Sequence, residues 1–231
     1  MVDIRPLDII ADSPWFTGLP DDALQQLAGQ AVIRPYPRGT FLFTEGQDDS
    51  DMYCVVTGRI RVAISSSAGQ DFAITDLTHG AWLGEQGLLS DRGRVASAEA
   101  MVNSDVLVLP RPAMLELGEA HPLLFRNLFR HHVENTRDLY DLLGGLLFLP
   151  LRARVAGRLL MMLQTHGVRE GDSLLLDIKL TQNDFARLTL GSRQRVNGIF
   201  RDWTERGIVE NRADRLAILD LKALQAEVNL D

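Results

Sequence analysis

Short hydrophobic runs separated by glycines dominate the first half of the chain. Between residues 31 and about 111, runs of four to six residues recur at roughly regular spacing, at positions 52–56, 59–64, 72–77 and 106–109. Glycines between the runs mark turns. Short, evenly spaced strands are typical of a β-sandwich or jelly-roll barrel, so the pattern predicts that fold. A short amphipathic helix with an acidic first turn is predicted just before it, around residues 21–27.

A helical period replaces this pattern after Pro112. Over residues 119–147, apolar or neutral positions recur in alternating steps of four and three, close to a coiled-coil stripe. They are Phe125, Phe129, His132, Thr136, Leu139, Leu143 and Leu146. A parallel register follows Leu128, Asn135 and Leu142, so this face is wide enough to contact both a partner helix and the barrel. A core helix inside one chain is the alternative interpretation.

The long helix is predicted to end in a hinge. Gly144 and Gly145 weaken a helix, and Pro150 breaks it. A second helical segment is expected at residues 151–164.

A helix-turn-helix is predicted from Thr181 onward. Thr181 can cap a first helix together with Asp184, three positions later. A tight connection at residues 190–192 leads to a second helix that starts at Arg193. Four apolar residues of this second helix fall at i, i+3, i+4 and i+7, so one face is predicted to be buried. They are Val196, Ile199, Phe200 and Trp203. After Gly207, residues 208–210 and 216–219 flank the polar turn 211–214, which predicts a β-hairpin wing.

The opposite face of the second helix carries residue types that read DNA. Arg193 suits bidentate bonding to guanine, whereas Gln194 and Asn197 suit adenine. Four further residues are placed for phosphates: Ser192, Arg195, Arg201 and, in the wing, Arg212. An ordinary solvated helix face is the alternative; it accounts for any two of these residues but poorly for the whole set.

Composition and charge narrow the class of protein. The chain has 231 residues, is 45% hydrophobic and carries a net charge of −7. Residues 150–200, however, hold eight Arg and Lys against four Asp and Glu, so basic charge is concentrated in the C-terminal region. No apolar run approaches the roughly 20 residues that span a bilayer, and no signal peptide is recognisable, so we expect a soluble, cytoplasmic protein without membrane contact.

The single cysteine limits redox chemistry and metal binding. Cys54 lies in an apolar run and is interpreted as a buried structural thiol rather than a redox sensor. One cysteine cannot hold an iron–sulfur cluster within one chain. No metal is expected.

Several runs together resemble the cyclic-AMP receptor protein and fumarate–nitrate regulator (CRP/FNR) family across nearly the whole chain. These runs are Gly84-Glu85-Gln86-Gly87-Leu88-Leu89 with Arg94-Val95-Ala96, then Leu147-Phe148-Leu149, Leu180-Thr181 and Ser192-Arg193-Gln194-Arg195-Val196. The resemblance implies an α+β fold with three parts. They are a cyclic-nucleotide-binding-like jelly-roll β-barrel at 1–118, a long dimerisation helix and hinge at 119–149, and a winged helix-turn-helix at 150–231. It implies a homodimer that binds a palindromic double-stranded DNA operator and acts with RNA polymerase. The family often has glutamate and threonine where this chain has Gln194 and Arg195, so a different half-site is expected.

The same resemblance implies a small-molecule effector in the barrel. Glycines at 84 and 87 let amides approach an anion, and Arg94 can pair with a phosphate. Compared with the family's phosphate-binding cassette, Glu85 would hold a ribose hydroxyl, Arg94 the cyclic phosphate, and amides around Gly84, Glu85 and Ala96 the remaining oxygens. Val95 departs from the usual serine or threonine, and Leu139 and Tyr140 stand where cyclic-AMP receptors have a threonine–serine pair. Cyclic AMP, cyclic GMP, cyclic di-GMP, another ligand and no ligand all remain open, the last with Glu85 and Arg94 forming an internal ion pair.

Rival functions make different demands on the sequence. A cupin-type metalloenzyme needs several histidines and a carboxylate inside the barrel, but only His79 lies in that half, so no enzyme is expected. A cyclic-nucleotide-binding regulatory module without DNA contact would not need the helix-turn-helix and wing. An orphan DNA-binding regulator that acts constitutively is the remaining alternative.

Overall fold

The computed structural model describes residues 5–48, 50–67, 70–88, 90, 92–171, 173–212 and 215–228. It forms two compact units, Met1–Leu139 and Tyr140–Asp231. Leu89 of the glycine-rich run and Ala213 and Asp214 of the expected wing turn lie outside the described residues. The finer domain boundaries at 118 and 149 stay a prediction.

The first unit is a double-layered β structure flanked by helices. Helices α1 (Pro6–Ala11) and α2 (Asp21–Ala28) come first. The strands described after them are β1 (Val32–Tyr36), β2 (Phe41–Phe43), β3 (Met52–Thr57), β4 (Ile60–Ser65), β5 (Asp71–Leu77), β6 (Trp82–Leu83), β7 (Ser97–Ala100) and β8 (Ser104–Leu109). They form two antiparallel four-stranded sheets, in the orders β1-β8-β3-β6 and β2-β7-β4-β5. Helices α3 (Arg111–Ala120) and α4 (Leu123–Phe148) follow. The predicted barrel of short strands is confirmed.

Strand β3 shows how the barrel core is built. Its side chains alternate between two apolar clusters, as the period of a strand requires. Met52 and Cys54 pack in a cluster with residues from the N-terminal helices and α4, whereas Tyr53 and Val55 pack between the two sheets. The strand is therefore covered on both faces, which explains why its sequence is an unbroken hydrophobic run.

Helix α4 uses its two apolar registers differently. Leu124 and Leu128 are buried against the first unit's core, and the Asn127 side chain donates to the backbone oxygens of Trp15 and Thr17 at 3.1 and 2.9 Å. On the other register, Phe129 is 67% exposed. The helix therefore packs on its own barrel along one stripe and presents a second stripe outward.

The hinge prediction is only partly right. Gly144 and Gly145 do not interrupt α4, which continues to Phe148. The helix breaks at Pro150, which has extended backbone angles and caps the next helix. A glycine pair lowers helix stability but leaves every backbone donor in place, whereas proline removes one, so the proline sets the boundary.

The second unit contains the predicted helix-turn-helix and wing. It comprises α5 (Leu151–His166), β9 (Gly167–Glu170), β10 (Ser173–Leu176), α6 (Gln182–Leu188), α7 (Arg193–Glu205), β11 (Val209–Arg212), β12 (Arg215–Ile218) and α8 (Leu221–Ala226). The strands form one antiparallel sheet in the order β11-β12-β10-β9. The hairpin β9–β10 was not predicted from the sequence. No helix in the described part of the chain is both long and apolar enough to cross a membrane.

Candidate DNA-reading surface and ligand pocket

The first helix of the helix-turn-helix is fixed by a reciprocal cap. The Thr181 hydroxyl accepts a hydrogen bond from the Asp184 backbone amide at 3.2 Å, while the Asp184 carboxylate accepts one from the Thr181 amide at 2.7 Å. This is the capping box that the sequence predicted. The turn that follows contains Leu190 in a left-handed conformation, with φ of 50°. The direction in which α7 leaves the turn is thus set by local backbone geometry.

The second helix buries most of the face that its spacing indicated. Val196, Phe200 and Trp203 are buried, and Ile199 is half-buried. The Phe200 ring packs edge-on against Phe185 of α6, with ring centroids 4.9 Å apart, and against Trp203 at 5.6 Å. Aromatic packing of this kind holds α7 to the body of the unit and leaves its other face free.

The remaining face of α7 is open to solvent. Its exposed residues are Ser192, Arg193, Gln194, Arg195, Asn197 and Arg201, the whole set expected to face DNA from this helix. Ser192 caps the helix by accepting a hydrogen bond from the Arg195 amide at 3.3 Å. The DNA contacts of these residues stay a prediction.

Charge is unbalanced at the amino end of α7. The first turn contains no acidic residue. Within the described ranges, neither Arg193 nor Arg195 has a carboxylate within ion-pair distance. Because a helix N-terminus itself carries partial positive charge, cations placed there favour binding of an external anion.

The carboxyl end of α7 is closed by an ion-pair cluster that the sequence did not predict. Arg152 of α5 pairs with Asp202 and Glu227. Arg206 pairs with the same two carboxylates, at 3.2 Å to Asp202 and 2.6 Å to Glu227. The Glu227 side chain, directly after α8, is only 1% exposed. We call these four residues the carboxyl-end cluster; it ties α5, α7 and α8 together.

The cluster changes the acidity of its carboxyl groups. Hydrogen bonding from Arg152 is the main cause that lowers the pKa of Asp202. Burial raises the pKa of Glu227, but hydrogen bonds led by that from Arg152 outweigh it and the pKa is lowered overall. Both carboxylates therefore stay charged at neutral pH, and the cluster is nearly neutral in sum.

Two arginines expected to reach phosphates have internal partners. Arg212 in β11 is 2.6 Å from Glu210 and 3.6 Å from Glu170, and the hydrogen bond that it donates to Glu210 is the main cause that raises its pKa. Arg201 is 3.9 Å from Glu205 in an exposed pair. A phosphate would have to replace these carboxylates, which is easier for the exposed pair.

The glycine-rich turn of the barrel encloses a guanidinium. Gly84 has φ of 103°, and a Cβ there would lie 2.8 Å from the Asp51 backbone oxygen, so only glycine fits. Arg94, 6% exposed, donates from Nη2 to the Asp51 oxygen at 2.7 Å and from Nη1 to the Gly84 oxygen at 3.3 Å. Its guanidinium lies 4.2 Å from the centroid of the Phe43 ring. Asp51 and Phe43 contact this guanidinium, and the sequence analysis did not predict either contact.

The other residues expected to bind the ligand differ in their contacts and in their exposure to solvent. Gly87 adjoins the same guanidinium, since a Cβ there would lie 3.4 Å from Arg94 Nη1. Glu85 accepts a hydrogen bond at 3.4 Å from Asn135 of α4, a link that the sequence did not predict. Ala96 is buried, whereas Val95 is 63% exposed.

The two residues expected from the long helix are exposed. Leu139 is 44% exposed and belongs to the first unit, and Tyr140 is 70% exposed and belongs to the second. Their contact with a ligand stays a prediction.

Cys54 lies in the core of the first unit. Cys54 is fully buried, and burial raises the pKa of its thiol to about 12, which keeps it protonated and unreactive. In the described part of the chain, no three His, Cys, Asp or Glu side chains lie close enough together to hold a metal ion.

Comparison with known proteins agrees with this architecture. The cyclic nucleotide-binding domain family matches residues 33–121, and the Crp-like helix-turn-helix domain family matches residues 153–227. The chain is 30% identical to the cyclic AMP receptor protein of Thermus thermophilus, over 85% of this chain and 88% of that protein. It is 26% identical to the CRP-like cAMP-activated global transcriptional regulator of Mycobacterium tuberculosis, over 94% of this chain and 97% of that one.

A solved structure shows the same fold. FixK2 from Bradyrhizobium japonicum superposes with a TM-score of 0.76 at 19% identity, covering 85% of this chain and 96% of that chain. The fold of this chain is thus one that is found in a solved structure. The chain belongs to the CRP/FNR family of transcription regulators.

Proposed function

We propose that this regulator binds a palindromic DNA operator as a homodimer and that a cyclic nucleotide in the first unit controls the binding. The observation that carries the proposal is the solvent-exposed face of α7, on which Arg193, Gln194 and Asn197 stand beside an unneutralised cationic helix start. Base edges in the major groove are read by such bidentate side chains, and phosphates are held by cations and amides.

Sequence preference follows from the residue types on that face. Arg193 donates two hydrogen bonds to guanine, and Gln194 and Asn197 recognise adenine. Selection of binding sites from a random duplex pool tests this directly. An inverted repeat whose half-site contains a guanine next to adenine-containing steps is expected, with half-site centres about one DNA turn, roughly 34 Å, apart. Absence of any enriched duplex contradicts the proposed function.

The outward stripe of α4 supports a homodimer. Phe129, Leu139 and Leu143 are all more than 40% exposed on one long helix, although apolar side chains at heptad-like spacing are normally covered. A second copy of the same helix covers them in a parallel pair. Sedimentation equilibrium is expected to give a dimer for the wild-type chain and a monomer for Phe129→Glu. A monomeric wild-type chain contradicts this assignment.

The effector is assigned to the pocket around Arg94. The Mycobacterium tuberculosis relative is named as activated by cAMP, and the cationic guanidinium beside Gly84 and Gly87 suits a cyclic phosphate. The chemical class we propose is a cyclic nucleotide, with cyclic AMP, cyclic GMP and cyclic di-GMP as the compounds to test. Arg94 would hold the phosphate and Glu85 a ribose hydroxyl.

The hydrogen bond between Glu85 and Asn135 offers a route from ligand to helix. A ribose hydroxyl that bonds Glu85 would compete with Asn135, at 3.4 Å, for the same carboxylate. Because Asn135 lies on α4, ligand binding would change how this helix is held and shift the population of dimer arrangements. In only one arrangement would both α7 helices fit successive major grooves.

Calorimetric titration of nucleotide-free protein tests the effector. Heat with one of the three nucleotides, lost in Arg94→Gln and retained in Arg92→Gln, is expected. If no nucleotide gives heat while the wild-type chain still binds its operator, the assignment of a cyclic nucleotide as effector is wrong. Transcription of the operator by RNA polymerase in the presence and absence of nucleotide would then show whether polymerase is a partner.

A further inference from the structure

Helix α5 begins directly beside the turn that precedes α7. A Cβ on Gly191 would lie only 2.6 Å from Leu151 Cδ1, so the first turn of α5 packs tightly on this connection. Gly191 is itself held by a hydrogen bond from its amide to the Ala186 oxygen at 2.9 Å. Arg154 is one turn further along α5 than Leu151, and Arg195 is in the first turn of α7. The start of α5, which carries Arg154, therefore packs on the connection that leads to Arg195.

Arg154 has no carboxylate partner among the residues that the structure describes. Its Nε is buried and has no hydrogen-bond partner among the described residues. Burial and the neighbouring Arg195 guanidinium both lower the pKa of Arg154. A partly buried cation next to a second cation destabilises the isolated protein unless an anion joins them.

The contrast with Arg152, two residues earlier on α5, shows that the unit supplies carboxylates elsewhere. Arg152 pairs with Asp202 and Glu227. At Arg154 and Arg195 no described carboxylate takes that role. The Ser192 hydroxyl and the backbone amides at the start of α7 supply further donors in the same turn as Arg195.

We propose that Arg154 and Arg195 together bind one backbone phosphate of the DNA, so that α5 contributes to the interface as well as α7. The inference rests on the proposed function, because it requires a duplex in contact with α7. It adds a residue that the helix-turn-helix pattern does not contain. The ligand is a phosphodiester rather than a base, so the contact contributes to affinity and register without sequence preference.

The test is the salt dependence of operator binding by the full-length dimer. Arg154→Gln is compared with wild type and with Lys222→Gln, which removes one exposed positive charge from α8. A phosphate contact that is lost entirely lowers the magnitude of the slope of log K against log salt by about 0.9, or by about 1.8 for the two half-sites of a dimer. Because Arg195 still faces the same phosphate in Arg154→Gln, this variant should lose part of that slope. The double variant Arg154→Gln with Arg195→Gln should lose all of it, which at 0.1 M salt corresponds to about 60-fold weaker binding. The loss should be equal on the selected operator and on a scrambled duplex, and Lys222→Gln should match wild type.

Duplexes with a neutral methylphosphonate at single backbone positions locate the contact. At one position in each half-site, wild type, Arg154→Gln and Arg195→Gln should bind equally, because the charge that distinguishes them is already gone. At other positions the variants should remain weaker. Differences that persist at every position overturn the shared phosphate.

Thermal unfolding separates this role from a structural one. Arg154→Gln relieves the repulsion from Arg195, so its unfolding temperature should equal or exceed that of wild type. A lower unfolding temperature together with an unchanged salt slope overturns the inference and makes Arg154 a structural residue. If wild type binds the operator and Arg154→Gln has the same slope, the inference alone fails. If wild type binds no duplex, the proposed function fails and takes the inference with it.

Discussion

The two ends of α7 are both rich in arginine, yet only one of them has carboxylates that pair with these arginines. At the amino end, Arg193 and Arg195 are exposed and have no described carboxylate partner. At the carboxyl end, Arg206 shares Asp202 and Glu227 with Arg152. The amino end, which we call the open end, can therefore bind an external anion. The arginines at the carboxyl end, which we call the closed end, are already paired with carboxylates of the fold.

The wing extends this comparison. Arg212 belongs with the satisfied class, because Glu210 and Glu170 both lie within 4.0 Å of its guanidinium. A phosphate contact there must displace existing partners, whereas one at the amino end of α7 does not. We therefore expect Arg212 to contribute less to DNA affinity than Arg193 or Arg195.

Removing Arg193 should cause the largest loss of DNA affinity at the open end. Arg193→Ala is expected to weaken binding of the selected operator about 100-fold, because each half-site loses a bidentate guanine contact worth about tenfold. The free energy of unfolding should not change, since the side chain is exposed and unpaired. Fluorescence anisotropy measures the first effect and chemical denaturation the second. Equal losses for Arg193→Ala and Lys222→Gln would contradict the assignment.

Removing Glu227 should instead destabilise the fold at the closed end. Glu227→Gln leaves Arg152 and Arg206 without their buried partner and should lower the free energy of unfolding of the second unit by about 2 kcal/mol, less than for a fully buried pair because Arg152 is partly exposed. Glu205→Gln is the matched control, since its 3.9 Å pair with Arg201 is exposed. Hydrogen exchange of the α7 backbone amides measures the stability of this helix in both variants. A loss of DNA affinity in Glu227→Gln without loss of amide protection would show that the cluster is not structural.

Exchanging Gln194 should change the base that the open end of α7 prefers. Glutamate accepts a hydrogen bond from cytosine, whereas glutamine prefers adenine. Gln194→Glu is expected to shift the preference at one base pair of each half-site toward cytosine by about tenfold. Binding-site selection with both proteins measures it, and an identical profile refutes the contact assigned to Gln194.

Acid should weaken only the closed end. The pKa values of Asp202 and Glu227 are lowered in the folded protein, so their contribution is complete above their unfolded values of about 4 and is lost as pH falls through the folded values. Amide protection in α7 should therefore decline below about pH 4. Glu227→Gln should show a flatter decline, because one of the two titrating groups is gone. Parallel pH profiles for wild type and variant would show that the cluster does not control this end.

Local patterns predicted the elements well where one physical cause dominates. The Thr181–Asp184 box, the buried face of α7 and the two runs of the wing follow from capping and periodicity within a few residues. The glycine pair at 144–145 misled because helix propensity is weak beside the continuous hydrogen bonding of a long helix. The β9–β10 hairpin was missed because its first strand is fully exposed and polar in character.

Partners distant in the chain were not accessible to the sequence. Asp51 and Phe43 around Arg94, Asn135 beside Glu85, and Glu227 beside Arg152 come from elements joined only by folding. Arg212 was expected to reach a phosphate, and only the structure shows its two carboxylate partners, Glu210 and Glu170.

The sequence by itself determined the short strands of the first half, the long helix, the capped helix-turn-helix with its wing and the residue types on its exposed face, because these depend on neighbours along the chain. Only the tertiary structure decided which arginines are neutralised and which are open to an anion. That distinction depends on Coulomb interactions and burial between segments far apart in sequence. At Arg152 and Arg154, two residues apart, the fold supplies carboxylates to one and leaves the other beside Arg195.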